Sequence, residues 1–120
     1  MRCIRITRHE PTQEQVDALC RIYDDLTPEN IITVNATLPS NPKEAVEMFD
    51  SIVLDAELVE VVLPTNLLEA VLKFSQWEKR PASSLLRSVM NRTTNTDGEV
   101  EFVFSHYERI IKVEIVTEIL

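Results

Sequence analysis

Apolar residues along the first two-thirds of the chain fall into a repeating order, a short strand-like run and then a stripe at helical spacing. The sharpest instance is Glu57 to Glu78. Glu57 to Leu63 is short and valine-rich, as a strand covered on both faces should be, and Pro64 ends it. Leu67, Leu68, Val71, Leu72 and Phe74 or Ser75 then recur at helical spacing. Thr65 or Asn66 is the expected cap of this helix, and Asn66 with Glu69 fits a capping box.

The same order appears twice upstream. Arg2 to Arg8 alternates Cys3 or Ile4 and Ile6 with polar residues and reads as the first strand, broken by His9, Glu10 and Pro11. Thr12 and Gln15 fit another capping box, with Val16, Leu19, Cys20, Tyr23 and Leu26 as the stripe behind it. Asn30 to Asn35 makes a second strand around Ile31, Ile32 and Val34. Asn41, Pro42 and Glu44 open the next helix, lined by Ala45, Val46, Phe49, Ile52 and Val53. The spacing predicts helices over 12–26, 42–54 and 66–79. After Arg80-Pro81 the period becomes that of strands: Leu85 to Arg92, a turn at Asn95 to Gly98, Glu99 to Phe104, and a β-prone run from Ile110 to Ile119.

This alternation predicts an α/β fold, a Rossmann-like three-layer sandwich. Its sheet is mainly parallel, with a C-terminal antiparallel hairpin or meander at one edge. The length of 120 residues suits a single domain over 1–120. The only glycine is Gly98, which leaves no G-x-G-x-x-G fingerprint and no Walker loop.

Composition narrows the function further. Hydrophobic residues at 44% and charged residues at 27% are those of a globular chain. A net charge of −8 argues against duplex DNA or an anionic membrane as a partner, but leaves room for a small ligand at a local cationic site. Cys3 and Cys20 read as small buried hydrophobes in a reducing compartment. With no signal peptide and no transmembrane-length run, the expected location is the cytoplasm. The two histidines lack partners at metal-ligand spacing, so neither a metal nor a cofactor is expected.

In parallel sheets ligands bind outside the carboxyl ends of the strands. Three polar turns should meet there: Arg8 to Thr12, Asn35 to Thr37, and Pro64 to Asn66. Arg8 and His9 bring charge and proton-transfer capacity, while Thr12, Asn35, Thr65 and Asn66 bring hydrogen-bonding groups. A helix start beyond such a turn favours an anion, typically phosphate. The plainer alternative is that Thr65 and Asn66 only cap a helix, that Arg8 is solvated and that Asn35 ends a strand. Phe104 to Arg109 is a polar break between two β-prone runs, in which Tyr107 could stack on a base and Arg109 add charge, or which could be a bend with no ligand role.

The run R-H-E-P-T-Q-E-Q ends the first strand, L-P-T-N-L-L-E-A ends the third, and S-H-Y-E-R precedes a C-terminal strand. Together they resemble the small stand-alone CARF-like proteins associated with type III CRISPR systems, several of which are ring nucleases that degrade cyclic oligoadenylate messengers. The resemblance covers nearly the whole chain as an order of elements, on short motifs. It implies ligand residues at His9, Thr12, Thr65 and Asn66, and a homodimer or larger homo-oligomer holding cyclic tetra-adenylate across a two-fold axis. It also implies metal-independent cleavage, in which a ribose 2′-hydroxyl attacks the adjacent phosphodiester and type III CRISPR signalling is switched off. Arg8 would then stabilise phosphorane charge, His9 would act as acid–base or phosphate-binding group, and the Thr65–Asn66 turn would cradle phosphate. Two alternatives stand beside it. One is a sponge or sensor that binds the same nucleotide without cutting it, and the other an interaction module whose exposed C-terminal strand pairs with a partner.

Overall fold

In the computed structural model, which describes residues 1–113 and 118–119, five strands form one sheet in the order β2-β1-β3-β4-β5. Strands β1 (Cys3–Ile6), β2 (Ile31–Val34), β3 (Leu58–Val61) and β4 (Ser84–Thr94) run parallel, and β5 (Val100–Arg109) returns antiparallel to β4. Helices α1 (Gln13–Ile22), α2 (Pro42–Val53) and α3 (Thr65–Phe74) join the parallel strands. The fold is therefore α/β, with a mostly parallel sheet and an antiparallel edge.

Register explains how the two faces divide. Cys3, Ile31 and Leu58 stand abreast, as do Arg5, Thr33, Glu60 and Leu86 one pleat further on. This face packs on α1, where Cys3, Leu19, Leu26, Leu58 and Leu86 form the smaller core. The opposite face carries Ile4, Ile6, Val59, Val61 and Leu85, which pack with Phe49, Val53, Leu67 and Val71 of α2 and α3 into the larger core. The side on which the next parallel strand is added reverses between β1, whose successor lies on one side, and β3, whose successor lies on the other. Such a switch point opens a crevice at the carboxyl ends of the strands.

The helices are shorter than the expected 12–26, 42–54 and 66–79. Helix α1 begins as the sequence suggests: Thr12 Oγ1 accepts from Gln15 N at 3.2 Å, and Gln15 Oε1 accepts from Thr12 N at 2.9 Å. It stops at Ile22 because Tyr23 adopts extended backbone, and Leu26 reaches the core from the turn beyond. Helix α2 is capped by Asn41, with Pro42 in its first turn. Helix α3 departs most. Its N-cap is Pro64, with no side-chain cap, so the expected Asn66–Glu69 capping box does not form. Pro64 has the extended backbone of a cap residue, and its carbonyl accepts from Leu67 N and Leu68 N, which draws Thr65 and Asn66 into the first turn. At the other end Asp50 accepts from Ser75 Oγ, Gln76 N and Trp77 N, turning the chain out of the helix after Phe74. Trp77 then buries its ring edge-on to Phe49 and donates Nε1 to the Ala56 carbonyl.

The last third differs in a second way. Phe104 to Arg109, expected as a break, belongs to β5, and a register shift between Val89 and Met90 leaves Ser105 without a partner position. Only Ser84, Leu85 and Leu86 of β4 pair with β3, so residues 87–94 pair with β5 alone. Since β4 runs parallel to β3, this hairpin projects past the carboxyl ends of the parallel strands, by about 20 Å at the usual rise per residue. The radius of gyration, 15.7 Å, exceeds the about 14 Å of a compact domain of this length, as a projecting arm requires. Of the β-prone run 110–119, residues 110–113 are not strand, although Ile110 N still donates to Leu85 O at 2.7 Å. Residues 114–117 of that run lie outside the described residues.

Candidate functional site

The centre of the sheet holds a charged pair that strand alternation conceals. Arg5 and Glu60 occupy adjacent register positions on β1 and β3 and are 3% and 2% exposed. Arg5 Nε donates to Glu60 Oε1 at 2.9 Å and Nη2 donates to Glu60 Oε2 at 3.3 Å, the fork geometry that suits guanidinium to carboxylate. Tyr107 Oη is the third donor to the carboxylate, reaching Glu60 Oε1 at 2.6 Å. Burial pulls the Arg5 guanidinium toward its neutral form, but the hydrogen bond and charge of Glu60 outweigh this and raise its pKa. The Tyr107 hydroxyl is held well above its ordinary range, first by burial and then by the charge of Glu60.

The remaining Arg5 donors reach the turn beyond β1. Nη1 donates to the His9 carbonyl at 2.9 Å and to Thr33 Oγ1 at 3.2 Å, and Nη2 approaches Gln15 Oε1 at 3.5 Å. The buried pair thus fixes the Thr7–Glu10 turn from beneath and ties it to the cap of α1. Without that anchor a turn of exposed polar residues would have little to order it.

Above the anchor lies a cleft of about 660 Å³ at the switch point. Thr7, Arg8 and His9 line it from the turn after β1, Asn35, Ala36, Thr37 and Ser40 from the segment after β2, and Val62, Leu63 and Pro64 from the segment after β3. The size falls within the range of about 300–1,000 Å³ usual for small-molecule sites. Arg8 is the one Lys or Arg side chain among its lining residues. The start of α3, which no side chain caps, meets the cleft through Pro64 and Leu67. The cleft can therefore offer an anion one guanidinium, one imidazole and several hydroxyl and amide groups.

Of the residues expected from sequence, Arg8, His9 and Asn35 come together in this cleft. Thr12 stands at the adjoining cap, its hydroxyl engaged by Gln15 N. Thr65 and Arg109 line a second hollow of about 550 Å³ with Leu68, Arg87, Glu108 and Lys112. Asn66 is exposed in the first turn of α3 and lines neither space. Tyr107 stands on the α1 side of the sheet with its hydroxyl on Glu60, outside both linings. Sequence reasoning missed Arg5, Gln15 and Glu60 as parts of the site. A usable signal existed: Glu60 sits in an apolar run read as covered on both faces, where a carboxylate needs a counter-charge. Among the described residues no group of three or more His, Cys, Asp or Glu side chains could hold a metal ion, and no helix is long and apolar enough to cross a membrane.

No protein-family model matches the chain, and neither the curated proteins nor the solved structures contain a match.

Proposed function

We propose that the chain is a Rossmann-like, CARF-like domain that binds a cyclic oligoadenylate, cyclic tetra-adenylate above all, in the switch-point cleft and cleaves it. The observation that carries this reading is the meeting of Arg8 and His9 with Asn35 and Thr37 in one cleft at the carboxyl ends of β1, β2 and β3. The motif resemblance supplies the identity of the ligand. A cleft of about 660 Å³ accommodates one or two nucleotide units, so a ring of four would span two copies of the chain, consistent with a homodimer.

The chemistry asked of these residues is modest. A ribose 2′-oxygen attacks the neighbouring phosphorus, the bond to the 5′-oxygen breaks, and a 2′,3′-cyclic phosphate and a free 5′-hydroxyl result. Arg8 stabilises the charge that builds on the phosphorane oxygens. His9 takes the proton from the 2′-hydroxyl or supplies one to the departing 5′-oxygen. Arg5 and Glu60 touch no substrate and position the turn that carries both.

The test is single-turnover cleavage of radiolabelled cyclic oligoadenylates with a chelator present. The wild type should linearise the ring, and His9→Ala should slow turnover by about 10²–10⁴-fold while changing affinity much less. Tight binding without cleavage by the wild type would make the protein a sponge. Absence of binding to every ring size would remove both readings and leave the interaction module.

A further inference from the structure

We propose that the β4–β5 arm docks a second copy of this chain, with two arms side by side in opposite directions about a two-fold axis. The arm is a ribbon of two strands, and such a ribbon is marginally stable alone. Register pairs Ser88 with Tyr107, Met90 with Phe104, Arg92 with Phe102 and Thr94 with Val100, placing these residues on one face. That face carries an apolar stripe on which Met90, Val100 and Phe102 are 40%, 47% and 67% exposed. A contiguous stripe of this kind, with an aromatic at its centre, has the make-up of an interface core.

Charge names the occupant. The tip of the arm is acidic, with Asp97 and Glu99 exposed and outnumbering Arg92 nearby, while Arg109 stands exposed on the stripe face at the root. A parallel arrangement sets acid against acid, and an antiparallel one sets each acidic tip against the basic root of the other copy. An isologous contact about a two-fold axis produces the antiparallel arrangement on both sides at once. An anionic membrane or nucleic acid would face the same acidic tip and a chain of net charge −8.

The inference stands apart from the ligand assigned to the cleft and is tested without any nucleotide. By analytical ultracentrifugation of the full chain at micromolar concentration, the wild type should sediment as a dimer. Phe102→Ser should raise the dissociation constant about tenfold or more while leaving the far-ultraviolet circular dichroism unchanged. Arg109→Glu alone and the pair Asp97→Lys with Glu99→Lys alone should each be monomeric, since each sets like charges together. Mixed, these two variants should form a heterodimer in which both tip-to-root contacts attract again. A monomeric wild type, a Phe102→Ser variant that dimerises as tightly as the wild type, or charge variants that fail to pair on mixing would each overturn the proposal.

Discussion

Removing the carboxylate of Glu60 would leave the Arg5 guanidinium buried without its counter-charge, and removing Arg5 would strand Glu60 and the Tyr107 hydroxyl in the same way. Glu60→Ala is expected to cost about 3–5 kcal/mol, whereas the double change Arg5→Met with Glu60→Leu, which removes both charges, should recover most of that loss. Urea denaturation followed by the fluorescence of Trp77, the only tryptophan and a buried one, measures both. The double variant should still bind nucleotide less tightly than the wild type, because the His9 carbonyl has lost its donor. Unchanged affinity would make the pair purely structural. The same neighbourhood sets an alkaline limit. Burial, and then the charge of Glu60, push the Cys3 thiol from 9.0 up to about 12. In the unfolded chain this thiol ionises near its ordinary value, so its contribution is present below about pH 9 and is lost progressively as pH rises toward about 12. Tyr107, also raised, adds to the fall in the same direction from about pH 10 upward. Cys3→Ala and Tyr107→Phe should each flatten the alkaline fall in stability, and a fall just as steep in both would refute the assignment.

At the scale of the elements, the cap of α1 carries the clearest expectation. Thr12→Ala removes the hydroxyl that accepts from Gln15 N and should cost about 1 kcal/mol in the same denaturation assay. It should also loosen Gln15, which is both half of the capping box and a neighbour of Arg5. The strand–helix order, the parallel sheet and the caps at Thr12 and Asn41 were legible in the sequence because local periodicity and capping chemistry decide them. The start and end of α3 were not. Pro64 sets the start through its own backbone, and Asp50, a residue of another helix, sets the end through long-range hydrogen bonds. The polarity of Ser105 to Arg109 hid the second half of β5 because that strand lies at an edge and carries a bulge, so alternation slips by one residue. That Arg8, His9 and Asn35 share one cleft was legible because parallel topology sends those turns to one edge. The Arg5–Glu60 pair was not, because its register joins residues far apart in the chain, and in β1 an alternating polar residue reads as solvent-facing.

For the whole molecule, the net charge of −8 and Arg8, the one Lys or Arg among the described residues lining the cleft, set a sharp expectation. A polyanionic ligand approaching an acidic protein gains little from the overall field, so its affinity should depend on Arg8 out of proportion to the other cations. Sheet and hairpin place the cleft and the arm on the same edge of the molecule, so antiparallel assembly through the arm would turn the two clefts toward each other. The central claim is that this cleft is where a cyclic oligoadenylate binds, and the most direct measurement is calorimetric titration of the wild type and two arginine variants with cyclic tetra-adenylate. The wild type should bind saturably. Arg8→Ala should bind about ten- to a hundredfold more weakly through loss of one charge-assisted phosphate contact, and Arg87→Ala, whose side chain lines the second hollow, should match the wild type. No heat of binding with the wild type, or an Arg8→Ala variant that binds as tightly as the wild type, would contradict the claim.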